Sequence, residues 1–128
     1  MKEQFVTYEI AKKMKGFGFN EPCLAVYYDK EFKTYGSDFF KIAVPSGIVL
    51  NENLTGDTIA APLWQQVIDW LREKHKIEVT QTPSIELEKG FFQFNITRDK
   101  PHNEDFESGK THNKAREAAI LKALELIS

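Results

Sequence analysis

The stretch from Pro62 to Lys76 constrains the fold of this chain more than any other part of its 128 residues. Apolar residues cover about half of a helical wheel drawn for this stretch, and polar residues fill the other half. Pro62 suits the first turn of a helix, because an N–H at that position would have no partner in the helix. The apolar side is wider than the seam of a helix bundle. We therefore predict a helix over Pro62–Lys76 that packs across a β-sheet.

Short segments of β-forming residues separated by turns precede this helix. Leu24–Tyr28 and Phe32–Tyr35 flank the turn residues Asp29-Lys30-Glu31, which predicts a first hairpin. Phe39–Val44 is a further strand candidate, and Ile48–Leu50 resumes it after a Pro-Ser-Gly interruption.

A second hairpin is predicted after the central helix, around Lys89-Gly90, between Ser84–Glu88 and Phe91–Thr97. A two-residue turn pairs Ile85 with Phe94 and gathers the apolar residues of both strands on one face. Ile77–Thr80 is predicted as a separate short strand.

Capping residues mark a helix near each end of the chain. Thr7 begins the first helix, whose apolar stripe contains Ile10, Ala11, Met14 and Phe17. Thr111 or Asn113 begins the last helix, which runs to about Ile127 and has alanines on its apolar face. Leu121 falls on the opposite face of that helix, where it could join a subunit contact in a homodimer.

The order of elements predicts an α+β fold, with three helices and an antiparallel or mixed sheet of hairpins. The length suits one domain over residues 1–128. The segment Arg98–Lys110 is polar and charged, and we predict a flexible loop over 98–110.

Charge and cysteine usage limit the functional classes. The formal net charge is −2 and the pI is about 5.9, which disfavours a basic footprint for nucleic acid over the whole domain. Cys23 is the only cysteine, so no intramolecular disulfide can form, and we predict a cytoplasmic protein. No apolar stretch is long enough to span a membrane, and we predict no membrane partner.

Candidate metal ligands lie close together in the polar segment: His102, Glu104, Asp105 and His112. Imidazoles and carboxylates bind zinc or manganese, but the spacing matches no established template, so the alternative is a solvated loop. There is also no phosphate-binding glycine motif. The lysines Lys12, Lys13 and Lys15 suit a helix C-terminus, with phosphate binding as the alternative.

Two other chemistries can be read from the residues. Cys23 and His75 would form a nucleophile and base pair if the fold brought them within hydrogen-bonding distance. Tyr27, Tyr28 and Phe91 would stack bases if they lay exposed on a sheet face. The structural alternative is that these residues fill the core.

Two segments of the chain, FVTYEIAKKMKGFGFNEPC (Phe5–Cys23) and APLWQQVIDWLREKHKI (Ala61–Ile77), resemble a group of small uncharacterised proteins encoded by bacterial phages and mobile elements. The resemblance covers most of the chain apart from Arg98–Lys110. It implies a bacterial cytoplasmic setting and an accessory role, and it assigns no activity or catalytic residue.

We therefore predict a non-enzymatic accessory protein that acts through protein–protein contacts, without a cofactor or a catalytic or metal residue. The candidate contact surfaces are the loop Arg98–Lys110 and the polar edge of the central helix, formed by Gln65, Gln66, Asp69 and Arg72. A nucleic-acid-binding module with an aromatic sheet face and a small enzyme using Cys23 and His75 are the alternatives.

Overall fold

The structure is a computed structural model that describes residues 2–34, 48–54, 56–81, 92–98, 104–109 and 111–127. The chain divides into two compact units, Met1–Trp64 and Gln65–Ser128. Within the described residues there are three α-helices and two antiparallel sheets of three strands each, which confirms the predicted α+β class. One domain over residues 1–128 stays a prediction.

The first unit contains helix α1 (Tyr8–Gly16) and the strands β1 (Ala25–Tyr28), β2 (Glu31–Thr34) and β3 (Thr58–Ala60), in the order β2-β1-β3. The predicted first hairpin is confirmed as the β1–β2 pair. Its turn residues Asp29 and Lys30 have φ values of 50° and 67°. Positive φ at both positions is typical of a type I′ turn, whose twist matches that of the strands.

Helix α1 begins as the sequence predicts. The Thr7 hydroxyl accepts a hydrogen bond from the backbone N–H of Ile10 at 3.4 Å. At the other end Gly18 has a φ of 86°, and the N–H of Phe19 donates to the carbonyl of Met14. This is the Schellman arrangement, which satisfies the last carbonyls of a helix. The buried stripe contains Ile10, Ala11 and Met14.

Helix α2 spans Trp64–His75, inside the predicted range. The side chains of Trp64, Val67, Trp70 and Leu71 are buried, and those of Gln65, Arg72, Glu73 and Lys74 are exposed. Lys76 follows the helix with a φ of 57°, a left-handed conformation that commonly ends helices. The amphipathic pattern is confirmed, while the placement of this helix across a sheet stays a prediction.

The second unit contains β4 (Ile77–Gln81), β5 (Phe92–Arg98), β6 (Glu104–Gly109) and helix α3 (His112–Leu126). The strands pair in the order β4-β5-β6, and α3 packs against β5 and β6. Thr111 is the N-cap of α3, as predicted, and its hydroxyl accepts from the N–H of Lys114 at 3.0 Å. The buried side chains are those of Ile77, Val79, Phe94, Ile96, Ala115, Ala119, Ile120, Ala123 and Leu124.

The register of β5 corrects the predicted second hairpin. Phe94 pairs with Gln81 of β4 and with Glu107 of β6, so both edges of the strand are occupied there. The prediction paired Phe94 with Ile85, and it was wrong because it rested on local alternation and gave β5 one neighbour. Residues 82–91 and the strand candidate Phe39–Val44 lie outside the described residues.

The predicted loop over 98–110 is also corrected. Arg98 ends β5, and Glu104–Gly109 forms β6, whose backbone pairs with Phe92–Thr97. The composition of β6 is poor for a strand, but strand formation depends on the neighbouring backbone more than on intrinsic preference. An open edge of β5 supplies that neighbour.

Candidate functional site

In the first unit, residues 20–24 lie beside residues 48–52, where a bridge between Cys23 and Val49 forms a short ribbon and the 3₁₀-helix Asn51–Asn53 begins at its end. The N–H of Cys23 donates to the carbonyl of Val49 at 2.8 Å, and the N–H of Val49 donates back at 2.9 Å. A further bond closes the end of the ribbon, where the N–H of Glu52 donates to Oδ1 of Asn20 at 2.9 Å. We call these two segments the ribbon.

The two faces of the ribbon differ sharply in exposure. Cys23 and Val49 form the bridge and are almost fully buried. In paired extended chains, neighbouring residues point to opposite faces. Leu24 and Ile48 flank the bridge on the other face, with 52% and 53% of their surface exposed. Pro22, two residues before Leu24, is exposed, and Leu50, two residues after Ile48, is partly exposed.

Four apolar residues therefore share the outer face of the ribbon, and we call them the apolar patch: Pro22, Leu24, Ile48 and Leu50. Single exposed apolar residues are common on protein surfaces, whereas an apolar surface shared by several adjoining residues is a candidate interaction site. The patch is the strongest candidate for a functional surface within the part of the chain that the structure describes.

Asn51 fixes the ribbon to the rest of the unit. Its Nδ2 donates to the carbonyl of Phe19 at 2.9 Å, and its Oδ1 accepts from the N–H of Ala60 at 2.9 Å. Among the described residues, it is the one polar residue that is buried. Because buried polar groups need hydrogen-bond partners, the two bonds hold the ribbon in one position relative to α1 and β3.

An open cleft of about 350 Å³ lies beside the polar end of the ribbon. Its lining residues are Lys15, Gly18, Phe19, Asn20, Asn51 and Glu52. The Lys15 ammonium donates to the carbonyl of Thr58 at 3.1 Å, which uses one of its three N–H groups. The cleft thus presents a cation, a carboxylate and an amide, and its size suits one polar side chain or a small polar molecule.

Cys23, which the sequence offered as a nucleophile, has a buried thiol, unlike a reactive cysteine. Its thiol donates to the carbonyl of Glu21 at 3.3 Å. Burial, with a smaller contribution from the charge of Glu21, raises the pKa of Cys23 to about 12. A reactive cysteine needs its thiolate near neutral pH, and these surroundings keep the thiol protonated. His75, in the second unit, packs its ring against Trp70 with centroids 4.6 Å apart.

The structure describes the predicted metal ligands only in part. Glu104 and Asp105 lie on β6, and His112 begins α3 with its ring 5.3 Å from that of Phe94. His102 lies outside the described residues. In the part of the chain that is described, no three His, Cys, Asp or Glu residues are grouped so that they could hold a metal ion.

Of the described aromatic residues proposed to bind nucleic acid, Tyr27 lies in the core and Tyr28 at the surface. Tyr27 is 3% exposed, and its hydroxyl donates to the carbonyl of Val6 at 2.7 Å. The ring of Phe32 packs between those of Phe5 and Tyr27. Tyr28 is 44% exposed, while Phe91 lies outside the described residues. A buried ring cannot stack a base, so this face offers Tyr28 alone among the described tyrosines of β1.

The polar edge of α2, predicted as a contact surface, forms a network of its own. Oδ1 of Asp69 accepts from Gln65 at 2.9 Å and from Arg72 at 3.1 Å. Arg72 also lies 3.9 Å from the carboxylate of Glu78. These groups bond to one another at the surface, where such pairs contribute little to stability.

Sequence reasoning missed the apolar patch. Its signal was present, because the triplets Pro22-Cys23-Leu24 and Ile48-Val49-Leu50 are each wholly apolar. A run of three apolar residues does not show which of them faces solvent. That assignment needs the pairing of two segments about 26 residues apart, which no local pattern encodes.

None of the helices within the described ranges is long and apolar enough to cross a membrane. No family model, no characterised protein sequence and no solved structure matches this chain. The resemblance to phage and mobile-element proteins therefore stays a prediction.

Proposed function

We propose that this protein is a non-enzymatic accessory protein that binds another protein through the apolar patch. The observation that carries the proposal is the pair Leu24 and Ile48, each about half exposed on one face of a ribbon whose other face is buried. The Cys23–Val49 bridge fixes the backbone on which both side chains lie, so a partner need not order that backbone.

The chemistry of the patch favours a protein over nucleic acid. Its side chains are aliphatic, so they offer no planar ring for a base and no cation for a phosphate. The nearest charged residues along the ribbon are Glu21 and Glu52, which repel a polyanion. An apolar protein segment with a basic flank is the occupant that fits both features.

The neighbouring cleft would supply specificity. An apolar contact alone discriminates poorly between partners, whereas a polar side chain seated in a fitted cleft discriminates by the bonds that it makes. Lys15 and Glu52 present opposite charges there, and Asn20 adds an amide. We propose that the partner inserts one polar side chain into the cleft while its apolar residues cover the patch.

The setting is part of the same proposal. A bacterial cytoplasmic location and an origin in a phage or mobile element are supported by the sequence resemblance, which also fits a small accessory protein. The raised pKa of Cys23 supports a non-enzymatic role, because it disfavours the Cys23–His75 chemistry.

The test begins with a photo-reactive amino acid placed at position 24 or 48 in the source cells. The matched control carries the same group at Tyr28, an exposed apolar residue outside the patch. A protein that crosslinks at 24 and 48 but not at 28 is identified and purified, and its affinity for the unmodified chain is measured. If no protein distinguishes the patch positions from position 28, the proposal is wrong.

Serine substitutions then measure the contribution of the patch. Covering the exposed half of one aliphatic side chain is worth about 1 kcal/mol, which is about fivefold in affinity. We expect Leu24→Ser and Ile48→Ser each to weaken binding about fivefold, and together about 25-fold. Tyr28→Ser should change affinity by less than about twofold. Equal losses at all three positions would contradict a localised site.

A further inference from the structure

Helix α3 carries apolar residues on two opposite faces. The inner face, formed by Ala115, Ala119, Ile120, Ala123 and Leu124, is buried. Ala118 and Leu121 lie on the outer face and are partly exposed. An amphipathic helix that covers one sheet needs only the inner set, and the outer pair lies on the opposite side of the helix from that set.

The outer face continues beyond these two residues in a regular pattern. Lys114, Ala118, Leu121 and Glu125 follow one another at steps of four, three and four residues. This is the spacing of the contact line between two paired helices. Lys114 and Glu125, at the two ends of the line, are exposed. We call these four residues the outer seam.

We propose that the outer seam pairs with the outer seam of a second copy of this chain, with the two helices antiparallel. A two-fold axis between residues 119 and 120 brings Ala118 level with Leu121 of the second copy. The same axis brings Lys114 level with Glu125 of the second copy, and symmetry repeats each pair.

The charges select this orientation. A parallel pair in register would set Lys114 against Lys114 and Glu125 against Glu125, which is repulsive at both ends. The antiparallel pair places opposite charges together at both ends. Ala118 has the small side chain that lets two helices approach closely beside a Leu121 of the other copy. Lys122 lies 3.7 Å from Glu125 in the same chain and would remain beside the new pair.

The seam is short, so the dimer is weak. One pair of four-turn helices buries much less surface than the roughly 1,200 Å² of a stable complex. The monomer and dimer should therefore exchange with protein concentration. The outer seam belongs to the second unit and the apolar patch to the first, so this inference does not depend on the proposed function.

The test uses charge reversal at the two ends of the seam. Sedimentation equilibrium of the full chain from about 20 μM to about 1 mM should show a rising dimer fraction. Lys114→Glu and Glu125→Lys should each weaken dimerisation about tenfold or more, because each creates two like-charge pairs. An equimolar mixture of the two variants should regain association, since a heterodimer restores both opposite-charge pairs. The double variant should regain it as a homodimer.

The substitutions Lys114→Glu and Glu125→Lys should not impair folding, because of where they lie in α3. A glutamate near the start of α3 and a lysine near its end both suit the helix dipole. Lys12→Glu on α1 is a control of equal charge change and should leave the dimer unchanged. Leu121→Arg should abolish it. A wild-type chain that stays monomeric throughout, or a mixture that associates no better than its two components, would overturn the proposal.

Discussion

Replacing Asn51 with alanine should destabilise the first unit more than any other single polar truncation in the ribbon. Asn51 is buried, and its amide bonds to the carbonyl of Phe19 and to the N–H of Ala60, both at 2.9 Å. Ala60 lies on β3, an edge strand whose outward N–H has no strand to pair with among the described elements. The side-chain amide of Asn51 therefore accepts the hydrogen bond that a neighbouring strand would otherwise accept.

The size of the effect follows from these two bonds. Removing one partner of a buried hydrogen bond costs about 1–3 kcal/mol for the group left behind, and two backbone groups are affected here. The expected loss is about 3 kcal/mol, a large part of the roughly 5–15 kcal/mol that stabilises a typical domain. It would lower the urea midpoint by about 1.5–2 M for a typical denaturant slope.

The assay is urea unfolding followed by circular dichroism. Its matched control is Asn20→Ala, which removes the exposed bond between Oδ1 of Asn20 and the N–H of Glu52. Because water replaces an exposed partner, this control should cost less than about 1 kcal/mol. If Asn51→Ala cost no more than Asn20→Ala, Asn51 would not hold the ribbon and the reasoning would be refuted.

Four further predictions concern single residues. Cys23 should react with iodoacetamide at pH 8 about a thousandfold more slowly than a peptide thiol, because its pKa is raised from 9.0 to about 12; a rate equal to the peptide's would show an accessible thiolate. For the same reason, the free energy of unfolding of wild type minus that of Cys23→Ala should be constant below pH 9 and should fall as the pH rises towards 12. A difference that does not change with pH in urea unfolding would contradict the burial of the thiol. Gly18→Ala should cost about 1 kcal/mol because its φ is 86°, whereas Gly16→Ala, inside α1 with open space around it, should gain about 0.5 kcal/mol; equal effects in thermal unfolding would show that backbone conformation does not decide them. Lys76→Gly should raise the free energy of unfolding by about 0.5–1 kcal/mol, because glycine adopts the left-handed conformation after α2 without strain. A loss of stability would show that the lysine side chain contributes more than the strain costs.

The helices and the first hairpin could be predicted because their information is local. Thr7 and Thr111 cap α1 and α3 through hydrogen bonds to N–H groups three residues ahead, and that pattern is visible in the sequence. The turn at Asp29-Lys30 also lies between two segments that pair with each other directly. In each case the partners are a few residues apart.

The elements that were missed depend on distant partners. Strand β6 has a composition that favours a loop, and it extends because β5 offers it a backbone edge. The pairing of Phe94 was assigned to the nearest segment, although β4 lies on one side of it and β6 on the other. Loop-closing contacts of this kind leave no periodicity in the sequence.

The candidate site shows the same limit. Cys23 was considered as a nucleophile from its residue type, and its burial against Val49 makes it part of the inner face of the ribbon instead. Leu24 and Ile48 were read as parts of strands, and their exposure follows from which face the bridge presents to the core. Chemistry-bearing residues attract attention in a sequence, whereas an apolar surface is recognised only once the chain is folded.

The central claim is that the apolar patch binds a protein partner, and the ratio of two dissociation constants tests it most directly. The partner identified by crosslinking is titrated with the Leu24→Ser/Ile48→Ser chain and with the Tyr28→Ser chain, both shown to be folded. We predict that the first variant binds about 25-fold more weakly than wild type and that the second binds within about twofold of it. A partner that binds both variants equally well would show that the patch is not the binding surface.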